Sequence, residues 1–257
     1  MTRAASPVKF AARNRRIGLI VPSSNTNFEP DCALLAPPGM TLHSVRSGGY
    51  DVDAIPDSAL MRRFAREALD QCVNLLKDAR IDMIIYGCTS ATLSEGPAFD
   101  RGFCEELEVK AGVPAITAAG ALVEAIQSLS VRRVAFTSPY VPALSAESVA
   151  FLRQCDIEVV SEVCFETELT SIGQNSLTPQ DAYDMALKAD RPEAEAIVIS
   201  CTDYRALEAV PAIEARLGKP VVTSNQAQMY VCLTRLGLPT RGIVAGGHLF
   251  TRAPLTA

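Results

Sequence analysis

The chain contains a weak internal repeat with a long period. Three segments of the first half resemble three segments of the second half, in the same order: RRIGLIVPSSN (15–25) and RRVAFTSPYVP (132–142), IDMIIYGCTSATL (81–93) and AEAIVISCTDYRAL (194–207), GVPAITAAGALVEAI (112–126) and GKPVVTSNQAQMYVC (218–232). The offsets between the segment starts are 117, 113 and 106 residues. A period of this length is too long for a solenoid. It predicts two similar lobes, each about half of the 257 residues.

Within each half, short apolar runs alternate with segments of helical spacing. Strands are predicted for RIGLIVP, DMIIYG, PAIT, RRVAFTS, IEVVSEV, AIVIS and PVVT, and helices for segments that include 57–80, 145–155 and 178–189. Asp57 or Ser58 is suited to cap the first of these helices. Alternating strands and helices indicate parallel sheets that are covered by helices on both faces.

We therefore predict an α/β fold with two similar pseudo-symmetric lobes, each a parallel sheet flanked by helices. Ligands of such sheets bind beyond the carboxyl ends of the strands, which places the active site in the cleft between the lobes. The predicted organisation is an N-terminal arm (1–15), a first lobe (16–128 and 235–257) and a second lobe (129–234).

Composition and charge exclude several classes of function. The formal net charge of −5 gives no basic footprint for nucleic acid or for an anionic membrane, although it leaves an anionic substrate possible. No apolar stretch reaches the ~18 residues that span a bilayer, and the first residues lack the apolar core of a secretion signal. We therefore expect a cytoplasmic protein. The basic arm is interpreted as a tail or an oligomer contact, and a homo-oligomer is expected.

The eight cysteines and two histidines do not show the spacing of a zinc site, because no CxxC or CxxxC pair is present. A glycine-rich phosphate loop is also lacking, so no nucleotide cofactor is expected. The sequence thus predicts chemistry without a metal or a cofactor, and most cysteines are interpreted as small buried apolar residues.

Two cysteines are different, because Cys88 and Cys201 each follow an apolar run and each precede a threonine. They lie at matched positions of the repeat, 113 residues apart (201 minus 88). If the lobes face each other, the two thiols approach one cleft from opposite sides. A helix that starts near each cysteine would favour the thiolate. Such a pair can exchange protons on opposite faces of one carbon, or one thiol can add covalently while the other handles the proton.

Polar residues near the strand ends are further candidates. Ser23, Ser24 and Asn25 form either a carboxylate-binding turn or an ordinary polar turn, and the segment 223–227 (TSNQA) could line the cleft. A loop with the sequence SGGY (47–50) could close over the site. Hydroxyl donors beside the two cysteines are Thr89, Ser90 and Thr202.

The motifs GLIVPSSNT, YGCTSATL, FTSPY and SCTD, in this order, resemble the maleate isomerase and arylmalonate decarboxylase branch of the aspartate/glutamate racemase superfamily. The resemblance extends from about residue 16 to residue 247. It implies cofactor-free chemistry on small carboxylates, with two lobes that close over the substrate.

Carried over residue by residue, the resemblance places Cys88 at the isomerase nucleophile and Cys201 at the second, proton-handling cysteine. It places Asn25 at an asparagine that contacts the substrate carboxylate and the nucleophile. The dioxyanion-hole hydroxyls correspond to Thr89, Ser90 and Tyr140. Arylmalonate decarboxylases resemble this chain less at one position, because they carry glycine in place of Cys88.

The chain departs from the family pattern in one loop. Maleate isomerases carry another substrate-binding asparagine about 30 residues before the second cysteine. Here that spacing falls near Thr170 and Ser171, and Gln174 and Asn175 come later. The residue of this loop that meets the substrate is therefore left open.

The leading hypothesis is a cofactor-independent cis-trans isomerase of a small dicarboxylate, with maleate to fumarate as the first case. The alternatives are a cysteine-pair racemase of an amino acid or hydantoin-like acid, and a substrate-binding or regulatory homologue without turnover. For the isomerase, Cys88 is expected to be the nucleophile because Gly87 lets the backbone approach the substrate. Cys201 is expected to be the proton donor because the charge of Asp203 disfavours its thiolate.

Overall fold

Eight strands form two sheets in the structure, a computed structural model that describes residues 15–48, 63, 66, 68–167 and 169–251. The strands are β1 (Arg15–Pro22), β2 (Met40–Ser47), β3 (Met83–Tyr86), β4 (Ala115–Thr117), β5 (Arg133–Thr137), β6 (Glu158–Val163), β7 (Ala196–Ile199) and β8 (Val221–Thr223). Their orders are β2-β1-β3-β4 and β6-β5-β7-β8, and every pairing is parallel. Because the second sheet repeats the order of the first, the predicted fold of two similar lobes is confirmed.

Helices follow the strands and cover the sheets. They are α1 (Phe28–Leu35), α2 (Leu69–Asp78), α3 (Ser90–Leu93), α4 (Pro97–Ala111), α5 (Ala118–Ser128), α6 (Pro142–Gln154), α7 (Ser171–Asn175), α8 (Pro179–Ala189), α9 (Val210–Leu217), α10 (Ser224–Arg235) and α11 (Gly247–Thr251). Short 3-10 turns lie at Leu207–Ala209 and Val244–Gly246.

Helix caps repeat between the lobes as the strands do. The hydroxyl of Thr117 accepts a hydrogen bond from the backbone N–H of Gly120, and the hydroxyl of Thr223 accepts one from Gln226. A threonine at the N-cap satisfies one of the free N–H groups of the first helical turn. The same residue type therefore ends β4 and starts α5 in the first lobe, and ends β8 and starts α10 in the second.

The two lobes share one core. Helices α5 and α10 pack against each other, and α10 also contacts β4 of the first sheet. Ten consecutive residues of α10, 224–233, are buried. A helix that is buried on all sides belongs to the interior of the molecule. The apolar cluster around α10 includes Ile17 and Leu19 of β1 together with Val134 and Phe136 of β5.

The sequence missed four elements, β2, α1, α7 and α11, and placed others only in part. Strand β2 lies at a sheet edge with mostly half-buried residues, and α1 is short, so neither gives a clear pattern. Of the helix predicted for 57–80, α2 confirms 69–78, while its predicted cap and first turns lie outside the described residues. The end of the SGGY loop, 49–50, also lies outside them, as does the arm except for its last residue, which begins β1.

The C-terminal helix α11 packs against α9 and β8 of the second lobe. Residues 235–257 were predicted to return to the first lobe, and Arg235 at the start of this segment donates to the carbonyl of Ala115 at 3.0 Å and to the carboxylate of Glu124 at 2.7 Å. The lobe boundaries stay a prediction. Within the described residues, no helix is long and apolar enough to cross a membrane.

The central position of α10 generates a stability prediction. Leu233 is fully buried, so Leu233→Ala should lower the free energy of unfolding by about 2–5 kcal/mol, because it removes buried methyl groups and leaves a cavity. Leu34 is 55% exposed, and the matched variant Leu34→Ala should change it by less than about 0.5 kcal/mol. Urea unfolding of both variants measures the contrast. Equal losses would contradict a shared core built around α10.

Candidate active site

Cys88 and Cys201 lie at equivalent ends of the two sheets. Cys88 comes two residues after β3, and Cys201 comes two residues after β7. Their side chains are almost fully buried, at 4% and 8% exposure, and both line one cavity between the lobes. The sequence prediction of two thiols at one cleft agrees with this geometry.

The cavity contains most of the predicted site residues. From the first lobe it is lined by Ser24, Asn25, Cys88, Thr89 and Ser90, and from the second by Tyr140, Cys201 and Thr202. The exception is Ser23, which is exposed and pairs its backbone N–H with the carbonyl of Ser47 at 2.9 Å. The serine after it is therefore the one that faces the site.

The cavity is small and its lining is uncharged apart from one carboxyl group. Its volume is about 60 Å³, and a single water needs roughly 10–15 Å³ on the same measure, which gives space for a small molecule. Of the described residues that line it, none is lysine, arginine or histidine, and Asp203 is the one acid. A substrate carboxylate in this cavity would be held by neutral donors such as hydroxyl and amide groups.

One threonine connects the lobes next to both cysteines. The hydroxyl of Thr202 donates to the backbone carbonyl of Gly87 at 2.9 Å and accepts a bond from Asn25 Nδ2 at 3.0 Å. The amide oxygen of Asn25 accepts bonds from the backbone N–H groups of Asn27 and Phe28, at 3.0 and 2.9 Å. Asn25 therefore uses its oxygen to hold the start of α1. Its second Nδ2 hydrogen is the donor that could meet a substrate.

A serine that the sequence placed only in a general cleft segment forms a second connection. The hydroxyl of Ser224 accepts bonds from Thr89 Oγ1 at 3.2 Å and from the backbone N–H of Cys201 at 3.1 Å. Cys201 has a backbone φ of +121°, a region that residues with a side chain rarely adopt. The hydrogen bond that the Cys201 N–H donates to Ser224 holds this unusual backbone conformation. Local strain of this kind is common at functional sites.

The thiol of Cys201 is held in its neutral form. Burial raises the pKa of Cys201 well above its usual range, and the charge of Asp203 raises it further. The prediction that Asp203 disfavours this thiolate agrees in direction, but burial is the larger cause. The expected helix N-terminus beside Cys201 is wrong, because α9 begins only at Val210. The Cys201 thiol thus has the character of a proton donor at neutral pH.

The other thiol lies 3.7 Å from the hydroxyl of Ser90, at the start of α3. Gly87 precedes this cysteine, and side-chain packing requires a glycine at that position. A Cβ atom at Gly87 would lie 2.5 Å from Cε1 of the Phe28 ring. Gly87 therefore makes room for the ring of Phe28, and the expected role toward a substrate stays a prediction.

The phenol of Tyr140 is buried and accepts a long bond from the Ser200 hydroxyl at 3.5 Å. Burial, together with the two nearby cysteines, raises the pKa of Tyr140 well above its usual range. Tyr140 therefore stays protonated and remains a donor at neutral pH.

Five residues that line the cavity were not among the predicted site residues or were left as alternatives, and one of them is Asp203. Pro22 and Leu144 give it apolar surface, and Ser171 and Gln174 of α7 cover it. Thr170 does not line it, because its hydroxyl caps α7 by accepting a bond from the Gly173 N–H at 3.1 Å. The family resemblance pointed to this loop, but it did not select among the polar residues of the loop.

The comparison with known proteins agrees with the motifs. Residues 17–250 match the family model described as arylmalonate decarboxylase. A curated maleate isomerase of Nocardia farcinica is 31% identical, over 95% of this chain and 98% of the relative. The chain belongs to the family of arylmalonate decarboxylases and maleate isomerases, which confirms the resemblance.

Solved structures give the same result. A maleate isomerase from Pseudomonas putida S16, determined with maleate, is 30% identical, covers 94% of this chain and 99% of its own, and superposes with a TM-score of 0.86. A mutant of the Nocardia farcinica maleate cis-trans isomerase with a covalently bound succinylcysteine intermediate is 25% identical, with coverage of 92% and 98% and a TM-score of 0.83. Both are similar to this chain along almost its whole length.

The buried carboxyl group behind Cys201 predicts a pH-dependent stability. Burial raises the pKa of Asp203 to about 7, although bonds from the N–H of Thr26 and the amide of Asn27 oppose this shift. A carboxyl group whose pKa is higher in the folded chain stabilises the fold most below its unfolded pKa. That contribution is lost as pH rises through about 7.

The variant Asp203→Asn keeps an acceptor oxygen for Thr26 and Asn27 but cannot ionise. Relative to the wild type, it should therefore gain up to about 3 kcal/mol of stability between pH 5 and pH 8. Urea unfolding at the two pH values measures this difference. Asp78→Asn, which changes an exposed carboxyl group, is the matched control. No gain in Asp203→Asn would show that Asp203 is already ionised at pH 5, and a gain of the same size in the control would show that the effect does not come from the buried carboxyl group.

Proposed function

We propose that this chain is a cofactor-independent cis-trans isomerase of a small dicarboxylate, with maleate to fumarate as the leading reaction. The observation that carries the proposal is the placement of Cys88 and Cys201 on one small buried cavity. Two unequal thiols around one small molecule supply both groups that the reaction needs, a nucleophile and a proton carrier. The relatives named as maleate isomerases support this substrate.

In the first step, the thiolate of Cys88 adds to one alkene carbon of maleate and forms a carbon–sulfur bond. The electron pair of the double bond moves to the neighbouring carbon, which then takes the proton of the Cys201 thiol. The product is a succinyl group on Cys88, with a single bond in place of the double bond. The succinylcysteine in the related Nocardia farcinica structure has the composition of such an adduct, which supports this step.

In the second step, rotation about the new single bond brings the two carboxylates to opposite sides. Cys201, now a thiolate, removes a proton from the carbon that it protonated. The electron pair re-forms the double bond, the carbon–sulfur bond breaks, and Cys88 leaves as a thiolate. The number of atoms and electrons is unchanged, so the cycle requires no oxidant or reductant.

Neutral donors are proposed to hold the carboxylates during this cycle. Thr89, Ser90 and Tyr140 are assigned to one carboxylate, whose charge increases when the thiolate adds. The second Nδ2 hydrogen of Asn25 is a further donor on the same cavity, whereas the hydroxyl hydrogen of Thr202 is already donated to the carbonyl of Gly87. Donors that are already fixed by the fold stabilise a developing charge better than water does. The role of each residue is a proposal that substitution can test.

The two cysteines should respond differently to substitution. Cys88→Ser should lower the rate of maleate consumption by about 10³-fold or more and should prevent any adduct, because the nucleophile is lost. Cys201→Ala should slow turnover by roughly 10²–10⁴-fold, since it removes the proton carrier. In that variant an adduct on Cys88 should accumulate. The loss of maleate absorbance, without added metal or nucleotide, measures turnover, and intact-protein mass spectrometry detects the adduct.

Cys164→Ser is the matched control, because Cys164 is a half-buried thiol that lies outside the cavity. It should keep the wild-type rate. An adduct on Cys201 in place of Cys88 would reverse the two roles. No turnover of maleate, together with racemisation of an amino acid or hydantoin-like acid, would favour the racemase. No turnover of either substrate class, with slow labelling of both thiols by iodoacetamide, would favour a binding protein.

A further inference from the structure

Helix α7 covers the cavity and is fixed to the opposite lobe. The side-chain amide of Asn175 donates to the carbonyl of Ser24 at 3.2 Å, and the amide of Asn27 donates to the carbonyl of Asn175, also at 3.2 Å. The same amide of Asn27 donates to the carbonyl of Asp203 at 3.1 Å. Both partners of α7 belong to the turn that carries Asn25. The helix is therefore held at a defined distance from both cysteines.

One residue of this helix contacts a predicted catalytic thiol. The Cys201 Sγ donates to the amide oxygen of Gln174 at 3.7 Å, within the range of a hydrogen bond that involves sulfur. A bond donated by an S–H group exists only for the neutral thiol, so it favours that form. The amide thus keeps the proton on Cys201 and fixes the direction of the S–H group.

The amide nitrogen of Gln174 has no hydrogen-bond acceptor among the described residues. Gln174 lines the cavity, and within the described part of the chain no residue accepts a hydrogen bond from its Nε2 group. An amide group carries two donor hydrogens on this nitrogen. With no lysine, arginine or histidine among the described lining residues, such a donor is well suited to a carboxylate oxygen.

We propose that Gln174 couples the substrate to the proton carrier: its oxygen positions the Cys201 thiol, and its nitrogen binds the carboxylate nearest α7. The identity of the substrate as a diacid rests on the proposed function, whereas the contact between Gln174 and the Cys201 thiol does not. Gln174 is then a positioning residue for Cys201 and a determinant of specificity. An acid that lacks the second carboxylate loses the bond from Nε2.

Alkylation of Cys201 tests the thiol contact without any turnover. In Gln174→Glu the side chain keeps its size, while the new negative charge raises the pKa of Cys201. Labelling of Cys201 by iodoacetamide at fixed pH should therefore be about tenfold slower or more, as for a pKa increase of one unit or more. Gln174→Met keeps the length but removes the acceptor, so labelling should become faster. Peptide mapping at several pH values gives the rate for this cysteine alone.

Gln180→Glu is the control, because it makes the same substitution on an exposed residue of α8. Its labelling rate at Cys201 should equal that of the wild type. If Cys201 is labelled at the wild-type rate in both Gln174→Glu and Gln174→Met, the positioning role of Gln174 is wrong. Equal slowing in the Gln180 control would assign the effect to overall charge and would also overturn it.

Steady-state kinetics test the substrate contact. Gln174→Glu should raise KM for maleate by about tenfold or more, because one carboxylate then faces another. The preference of the wild type for maleate over maleate monoamide should shrink by a similar factor in Gln174→Met. An unchanged preference would overturn the specificity role. If the wild type does not turn over maleate at all, the proposed function fails, whereas the labelling rates still decide the contact with Cys201.

Discussion

The relative position of the two thiols depends on one buried hydroxyl group. Thr202 follows Cys201 directly and donates to the carbonyl of Gly87, which directly precedes Cys88. Its oxygen also accepts the bond from Asn25, which belongs to the first lobe. A buried group that loses such a partner costs roughly 1–3 kcal/mol, so alternative placements of the lobes are disfavoured. A pair of thiols at a fixed separation is what any two-cysteine chemistry requires.

The repeat supplies a symmetric frame, and the two halves become unequal through residues that differ between the two copies of the repeat and through an amide outside it. Each cysteine follows the buried strand at the third place in the order of its sheet, which is β3 in the first sheet and β7 in the second. This equivalence explains why one chain contains two Cys-Thr pairs. Cys88 is next to Ser90, whereas Cys201 has a carboxyl group two residues later and an amide on α7. Symmetry thus brings two like groups to one cavity. The difference between their neighbours allows one to act as a nucleophile and the other as a proton donor.

The parts of the fold that were predicted correctly are those with strong local patterns. The buried strands β1, β3, β5 and β7 are short apolar runs, which a local sequence pattern is sufficient to detect. The cysteine pair was found because the repeat aligned two sites that are individually weak signals. Strand β2 was missed because an edge strand with partly exposed residues has no apolar alternation to detect.

The errors within the site have a common cause, which is contact between distant parts of the chain. Gln174 is 27 residues from Cys201, and the resemblance indicated its loop without indicating which side chain of the loop meets the thiol. Gly87 was attributed only to the substrate because the ring of Phe28, almost 60 residues earlier, is not visible in a local pattern. Polar residues can be assigned to a loop from sequence, but only the packing of the lobes determines which side chain of the loop reaches the site.

The electrostatics of the cavity follow from burial rather than from positive charge. Asp31 of α1 and Asp203 are both buried, and burial raises the pKa of each to about 7; of the two, Asp203 lines the cavity. Near neutral pH a substantial fraction of each group is therefore protonated. A carboxylate bound in the cavity adds a like charge next to Asp203, which raises its pKa further and favours uptake of a proton. The site can therefore bind an anion without a cationic side chain in its lining, because proton uptake by Asp203 offsets part of the negative charge that the substrate brings in.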